Sequence, residues 1–459
     1  MVHRLVWLGA VFAMLAPAAE GPSIYAIRGA KVVPASGPSI DSATVVVRDG
    51  LIEAVGANVA IPADAWVIEG KGLTVYPGFI DALSNWGIPV AVPAVPATAT
   101  GRAARTPALS TPAPSTTPAA PAVAAPPARG PEDRPSNSSY ARAADQLVAA
   151  DASIALARDS GFTSAVTYPP PKIFSGQGVM FNLAGERVGE MIVASPAAQQ
   201  LSFPTAGANA FSSFPGSLMG VMAYIHQVFL DAAHYKEARD IYDKHPQGLA
   251  RPAYDHTLEG VLESPRVLLP AQRAVEIDRM IRFADTLKVP AVLYGISEGY
   301  RAAEQLKQAN IPVLVSLKWP ARLPDANPSI PDSLRVLEVR EQAPSTAAAL
   351  AKAGVTFAFY SDGLAPRELT RAARKAIDAG LSQDDAVRAF TLNAAKIYGV
   401  ADRLGSIEKG KIANLVVTEG DIFQERTHIK YVFVDGEKYE PGSSEAPAAP
   451  SASATGGLQ

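Results

Sequence analysis

The hydrophobic positions of this chain follow two patterns, one at its ends and one in between. Residues 24–75 and 413–434 contain short apolar runs separated by turn residues, which is typical of a small antiparallel sheet. Asp49 and Gly50 separate two of these runs and predict a tight hairpin, because both residues tolerate positive backbone φ angles. From residue 266 onward, apolar runs alternate with segments of helical spacing. This alternation predicts parallel strands connected by helices.

The alternating region predicts the elements of an α/β fold. Its successive strand-and-helix units fit the second half of a (β/α)8 barrel. An earlier helix-to-strand step and a long amphipathic helix fit the same architecture. The predicted strands are 161–168, 266–269, 290–295, 312–317 and 356–361, and the predicted helices are 141–158, 214–242, 274–287, 299–308, 345–353, 367–379 and 383–398.

The length and composition of the chain fit a folded protein with a large core and more than one domain. With 459 residues, of which 48% are hydrophobic, the chain is not disordered throughout. Its formal net charge of -3 gives no electrostatic reason to expect nucleic acid or an anionic membrane surface as a partner. The absence of cysteine excludes disulfides, thiolate metal sites and cysteine nucleophiles.

The first residues have the pattern of a secretory signal peptide. Arg4 precedes an apolar run, and Ala16-Pro17-Ala18 forms a small-residue cleavage pattern, so we expect residues 1–18 to be removed. The mature protein is then expected to be periplasmic or secreted, with no membrane attachment after cleavage. An uncleaved anchor is the alternative interpretation.

Two further segments have compositions that cannot form a core. Residues 89–135 are rich in proline, alanine, threonine and serine, so they cannot supply a regular hydrogen-bonded ladder or a hydrophobic face. We interpret this insertion as a disordered, solvated linker, with a lid or docking arm as the alternative. The tail at 441–459 is expected to be disordered for the same compositional reason.

Two segments resemble the amidohydrolase superfamily, whose members are metal-dependent hydrolases of C–N bonds other than peptide bonds. Pro-Gly-Phe-Ile-Asp-Ala at 77–82 is similar to the first barrel strand of that family, and residues 404–415 resemble the segment by which its chain returns to the amino-terminal strands. The resemblance implies an α/β fold: a (β/α)8 TIM-like barrel with a small composite β-sandwich built from both chain ends. The implied regions are the first sandwich part at 24–74, the barrel at 75–400 and the second sandwich part at 401–440.

Two details add to this resemblance. Asn414 stands where the family's return segment usually carries Asp, a position that we expect to be structural. Phe-Ser-Gly-Gln-Gly at 174–178 resembles a Gly-Gln loop of one exported bacterial branch of the family.

The resemblance also implies a set of metal ligands, and this sequence has replaced several of them. The family's His-x-His pair after the first barrel strand corresponds to Leu83 and Asn85, and the histidine after the fifth strand corresponds to Pro270. Leucine and proline side chains offer no donor atom, and the neutral amide oxygen of Asn85 is a poor zinc ligand. Although the family uses zinc or another divalent metal, we therefore expect no metal and no other cofactor.

Four positions still carry side chains with usable chemistry. Asp362 stands where the family's strand-eight Asp acts as metal ligand and general base, and it is our candidate catalytic residue. Capping of the following segment is its structural alternative. Asn85, together with Tyr294 and Glu298 at the end of strand six, are the candidate binding residues.

The histidines offer one alternative metal site. His234, His245 and His256 could form a replacement site, although ordinary surface or structural roles explain them more simply, because the last two lie in a loop-rich connection.

Three classes of function follow from these observations. The first is a non-catalytic or strongly divergent family member that binds a small molecule at the barrel mouth, or acts in a structural or regulatory role beside an active relative or a second copy of itself. The second is an active exported C–N hydrolase that has relocated its metal or uses none, with Asp362 as its catalytic group. The third is a binding protein for cell-wall material, suggested by predicted export and the proline-rich insertion. The replaced ligands favour the first class.

Overall fold

The structure is a computed structural model that describes residues 24–89, 134–204, 214–327 and 329–442. Within these residues the chain has a mixed α/β fold. The predicted signal peptide at 1–18, nearly all of the proline-rich insertion at 89–135 and nearly all of the tail at 441–459 lie outside the described residues.

Strands from both ends of the chain form one eight-stranded sheet, called here the composite sheet. Its order is β18-β17-β16-β5-β1-β2-β3, with β4 also paired to β1. The two chain ends meet where β16 pairs antiparallel with β5, and the sheet has its own core of buried apolar side chains. The strands are β1 (Ile24–Val32), β2 (Ile40–Arg48), β3 (Leu51–Gly56), β4 (Trp66–Glu69), β5 (Thr74–Pro77), β16 (Leu415–Thr418), β17 (Ile429–Val434) and β18 (Glu437–Tyr439).

Two Asp-Gly turns of the composite sheet lie against each other. Asp49 and Gly50 have φ angles of 49° and 79°, which confirms the predicted tight turn, and Asp435 and Gly436 have 51° and 82°. A Cβ at Gly436 would lie 2.6 Å from the Cα of Gly50, so this close approach requires glycine. The turns at the two chain ends therefore pack as a pair.

The remaining strands form two more sheets. A four-stranded sheet has the order β10-β9-β7-β6, and a six-stranded sheet has the order β15-β14-β13-β12-β11-β8. Neighbours from β11 to β15 are parallel, as are β6 and β7, whereas β8, β9 and β10 pair antiparallel. The strands are β6 (Phe79–Ser84), β7 (Phe162–Thr167), β8 (Phe174–Gln177), β9 (Val179–Asn182), β10 (Ile192–Ala194), β11 (Gln199–Leu201), β12 (Val267–Pro270), β13 (Ala291–Ile296), β14 (Val313–Ser316) and β15 (Phe357–Tyr360).

Most helices pack along these sheets through an apolar face, but Leu334–Gln342 is an exception because none of its residues is buried. In α5, for example, Ile277, Met280, Ala284 and Leu287 recur at helical spacing and are all buried. No helix in the described ranges combines the length and apolarity needed to cross a membrane. The helices are α1 (Ala152–Asp159), α2 (Val188–Met191), α3 (Leu218–Lys244), α4 (His256–Glu263), α5 (Ala274–Leu287), α6 (Gly299–Ala309), α7 (Leu334–Gln342), α8 (Thr346–Ala353), α9 (Pro366–Asp378), α10 (Gln383–Phe390) and α11 (Leu392–Tyr398).

Three sequence predictions of local structure are wrong. The Gly-Gln segment is not a loop, because residues 174–177 form β8 and only Gly178 separates this strand from β9. The helix predicted from residue 141 begins only at Ala152, after Asp151 accepts a capping hydrogen bond from the Ser153 backbone. The helix predicted over 383–398 is divided at Thr391, whose backbone is not helical (φ -131°, ψ -94°).

A buried carboxylate connects the four-stranded and six-stranded sheets. Asp81 in β6 accepts hydrogen bonds through Oδ1 from the backbone N–H of Ser361, directly after β15, at 3.0 Å and from that of Leu83 at 3.3 Å. Its Oδ2 is buried and has no hydrogen-bond partner among the described residues. Burial raises the pKa of Asp81 to about 7, against the hydrogen bonds from Ser361, which lower it.

Asn414 connects the composite sheet to the four-stranded sheet. Its amide group donates to Ser164 Oγ at 3.1 Å and to Asn182 Oδ1 at 2.9 Å, while its oxygen accepts from the Asp435 backbone at 2.8 Å. Asn182 also donates to the Asp435 carboxylate at 2.7 Å, and burial raises the pKa of that carboxyl. Ionised aspartate at 414 could not donate these hydrogen bonds, so the amide is required by this network.

We expect Asp81→Asn to change how stability depends on pH. Because the pKa of Asp81 in the folded protein lies above that of an unfolded aspartate, the folded state holds a proton that the unfolded chain loses, and stability falls as pH rises from about 4 to about 7. Asparagine keeps the acceptor oxygen and removes this proton equilibrium. Urea unfolding from pH 4 to 8 should show the variant gaining up to about 4 kcal/mol relative to the natural chain. A difference that does not vary with pH would contradict the raised pKa.

We expect Asn414→Ala to lower the free energy of unfolding by about 2–4 kcal/mol, since buried partners on two elements lose their hydrogen bonds. Chemical denaturation measures the loss. The control is Gln424→Ala, because this side chain is exposed, and its expected change is within about 0.5 kcal/mol. Equal effects of the two substitutions would show that the network contributes little to stability.

Candidate active site

A cavity of about 740 Å³ opens where β6, β7 and β15 end. The carboxyl ends of parallel strands are where α/β folds place binding and catalytic groups. The cavity is lined mainly by aromatic, proline and aliphatic side chains. Its lining residues are Leu83, Ser84, Asn85, Ile88, Pro89, Gln146, Tyr168, Pro169, Pro170, Pro171, Gln200, Tyr294, Tyr360, Ser361, Asp362 and Gly363.

Four of the positions that sequence analysis singled out line this one cavity. Leu83 and Asn85 come from the end of β6, Tyr294 comes from β13, and Asp362 follows β15. Leu83 is buried in the cavity floor, whereas Asn85 and Asp362 are exposed. Segments far apart in sequence therefore bring the candidate residues together.

Glu298 and Pro270 lie outside the cavity lining. Glu298 is buried just before α6, where its Oε2 accepts from the backbone N–H of Ala274 at 3.0 Å and its Oε1 lies 3.8 Å from the guanidinium of Arg335. Glu298 thus accepts a hydrogen bond from a backbone N–H in the first turn of α5, where such groups have no partner within the helix. Pro270 is the last residue of β12 and pairs in register with Tyr294.

Asp362 is the single carboxylate in the cavity lining. Its Oδ2 accepts a hydrogen bond from Ser316 Oγ at 2.9 Å, and within the described residues it forms no ion pair. Its backbone adopts a left-handed φ of 49°, which Asp and Asn tolerate better than most residues. The Ser316 hydroxyl therefore fixes one oxygen and leaves the carboxylate open to the cavity.

Three tyrosines line the same cavity as this carboxylate. Tyr294 donates its hydroxyl to the backbone oxygen of Leu201 at 2.9 Å, and Tyr168 donates toward the Tyr398 hydroxyl at 3.3 Å. Burial raises the pKa of Tyr294 and of Tyr360, and the nearby charge of Asp362 raises both further. The rings therefore stay neutral at physiological pH.

The cavity does not fit the metal that the family would use. Of the usual ligand types, the described residues contribute only Asp362 to its lining, with no histidine, cysteine or glutamate. In the part of the chain that the structure describes, no group of three or more such residues is placed to hold a metal ion. One carboxylate with neutral hydroxyl and amide neighbours lacks the donor set of a zinc centre.

The candidate histidine site does not form. His234 and His245 are exposed, on α3 and just after it. The ring of His256 packs edge-on against Tyr140, with centroids 4.2 Å apart. None of the three lines the cavity.

Sequence reasoning missed several lining residues. Tyr168 and Tyr360 were assigned only to strands, and Gln200 was not singled out at all. A signal was available for both tyrosines, because each ends an apolar strand at the position where side chains reach the edge of the sheet. Gln200 had no such signal, since it lies in the short strand β11.

Comparison with known proteins agrees with this architecture. A family model described as "Amidohydrolase family" matches residues 233–439. No curated protein sequence matches the chain.

Solved structures resemble the whole described fold. An amidohydrolase from Thermotoga maritima MSB8 is 25% identical, with a TM-score of 0.70, and the match covers 91% of this chain and all of that one. A prolidase complexed with N-methylphosphonate-L-proline is 17% identical, with a TM-score of 0.52 and coverage of 91% and 99%. A putative prolidase from Bifidobacterium longum is 16% identical, with a TM-score of 0.52 and coverage of 93% and 97%. The family model over residues 233–439 and the first of these structures both indicate that this chain is similar to the amidohydrolase superfamily.

Proposed function

We propose that this protein is a non-catalytic or strongly divergent amidohydrolase that binds a small molecule in the cavity at the strand ends. The observation that carries the proposal is the composition of that cavity. Positions that would hold metal ligands supply Leu83 and Asn85, and only Asp362 keeps a charged donor. Without a metal, the Lewis-acid route to water activation and carbonyl polarisation has no source among these residues.

The cavity has the general character of a ligand site. Its volume falls within the range of small-molecule pockets, and its walls are mostly apolar with a few polar groups. Ser84 holds a hydrogen bond of 2.7 Å with Thr167, so its hydroxyl is already partnered. Asn85 is exposed and none of the described hydrogen bonds involves its side-chain amide, which leaves that group free to contact a ligand.

The proposal includes the barrel expected from sequence. We infer that the four-stranded and six-stranded sheets are two arcs of one (β/α)8 barrel. The hydrogen bond from Ser361 to Asp81 supports this inference, because it joins β6 to the segment after β15. The apolar cluster shared by Ile80, Leu268 and Ala358 also supports it, since these side chains come from both sheets.

Location and partners follow from the sequence pattern. We propose that the protein acts in the periplasm or is secreted, beside a catalytically active relative or as a homo-oligomer. Its predicted signal peptide supports export.

The first test is metal content. We expect the purified full chain to retain less than about a tenth of an equivalent of zinc by elemental analysis, because the cavity lacks imidazole ligands. The double variant Leu83→His/Asn85→His restores two imidazoles beside Asp362 and should retain more zinc than the natural chain. Stoichiometric zinc in the natural chain, lost on chelation, would overturn the proposal.

The second test is hydrolysis. We expect no turnover of cyclic amides or dipeptides by the natural chain, with or without added zinc, manganese or cobalt. Asp362→Asn serves as the matched control, because asparagine tolerates the same backbone conformation. Hydrolysis that the natural chain performs and this variant loses at unchanged melting temperature would instead establish a divergent hydrolase using Asp362.

A further inference from the structure

The described lining of the cavity carries negative charge without a matching positive charge. Among the described residues, Asp362 is the only charged residue of the lining, and no lysine, arginine or histidine from that part of the chain lines the cavity. Lys318, two residues beyond Ser316, is exposed and forms no ion pair with Asp362 among the described residues. The carboxylate therefore has no internal counter-ion, and a ligand is free to provide one.

The walls of the cavity suit a cation that carries apolar groups. Tyr168, Tyr294 and Tyr360 bring three electron-rich rings to the lining, and aromatic rings attract ammonium groups through their quadrupoles. Leu83, Ile88 and the prolines at 169–171 add apolar surface. An inorganic cation would leave this surface in contact with water, whereas an organic substituent would cover it.

Anions have no recognition group in the cavity. A carboxylate or phosphate ligand would meet the charge of Asp362 and find only neutral amides and hydroxyls as donors. Tyr294 and Tyr360 line the same cavity as Asp362, whose negative charge adds to burial in raising the pKa of both tyrosines. The negative field therefore acts on the same space that the rings enclose.

We infer that the ligand of this cavity is an organic ammonium compound with an apolar or aromatic substituent, bound by the Asp362 carboxylate and enclosed by Tyr168, Tyr294 and Tyr360. This inference rests on the proposed function, and it names the class of small molecule that the site takes. The Ser316 hydroxyl orients the carboxylate by holding one of its oxygens at 2.9 Å. The free carboxylate oxygen accepts hydrogen bonds from the ammonium group.

The test compares three probes of similar size that differ in charge. They are 2-phenylethylamine, which is protonated at neutral pH, neutral 2-phenylethanol and anionic phenylacetate. Isothermal titration of the chelator-treated full chain should give an affinity for the amine at least about tenfold above that for either other probe. An ionic hydrogen bond contributes roughly ten- to a hundredfold in affinity.

Variants of two aspartates separate a specific contact from a general charge effect. Asp362→Asn should weaken amine binding by about tenfold or more and change 2-phenylethanol binding by less than about threefold. Its amide oxygen can still accept from Ser316, so the variant should fold normally. Asp285→Asn is the matched control, because Asp285 lines a different cavity at the amino-terminal ends of β13 and β14 and the substitution removes the same charge.

Each outcome bears on the inference. Amine selectivity that Asp362→Asn abolishes and Asp285→Asn preserves would support it. Equal binding of the three probes, preference for phenylacetate, no amine binding at millimolar concentration or full retention by Asp362→Asn would overturn it. Because the titration uses chelator-treated protein, its failure leaves the metal and hydrolysis tests of the proposed function standing. Zinc-dependent turnover would refute that function independently of any amine affinity.

Discussion

The hydrogen bonds of one buried carboxylate hold together two chain segments that line the cavity. Asp81 lies inside the protein and binds the backbone of its own strand and of Ser361, 280 residues away in sequence. Leu83, whose N–H makes one of these hydrogen bonds, and Asp362, the residue after Ser361, both line the cavity. Because the second oxygen of Asp81 has no partner, ionising this carboxyl is costly and its pKa rises. Asp81 therefore joins two distant parts of the chain by hydrogen bonds, and the free-energy cost of ionising it makes that connection depend on pH.

The residues that stand at the expected metal-ligand positions give this cavity a character different from that of a metal site. In a metal site, the positive charge of the ion offsets the repulsion between charged ligands, and the surrounding side chains control access to the ion. Here the carboxylate Asp362 remains while leucine and asparagine occupy the neighbouring positions. The result is a negatively charged, largely apolar pocket, which is a different recognition surface on the same scaffold. Similarity to the amidohydrolase superfamily accordingly describes the fold more closely than it describes the chemistry.

The composite sheet plays a structural part that is separate from that cavity. Strand β16 returns beside β5, and the two Asp-Gly turns pack together where glycine alone permits the approach. Asn414 then connects this sheet to β7 and β9 through side-chain hydrogen bonds. An amide does so because it donates and accepts at once, whereas a carboxylate only accepts. The departure from the family residue at this position thus has a local physical reason.

Sequence alone determined the features that depend on local patterns. Apolar periodicity identified the parallel strands and the helices of the second half, because each buries one face or both at a fixed spacing. The Asp49-Gly50 turn was equally clear, since few residue pairs adopt positive φ twice. The residue types at Leu83 and Pro270 are the basis for expecting no metal, because a side chain without a donor atom cannot ligate wherever it lies, and this expectation stays a prediction.

Only the tertiary structure decided which of the remaining candidates act together. Asn85, Tyr294 and Asp362 share one cavity, while Glu298 is committed to the first turn of α5. The local sequence pattern did not predict the antiparallel strands at 174–182, because their conformation depends on partners elsewhere in the chain. The tyrosines Tyr168 and Tyr360 were recognised as parts of strands but not as cavity walls. Their role comes from the convergence of strand ends from distant segments, and convergence in space is the property that a linear pattern does not contain.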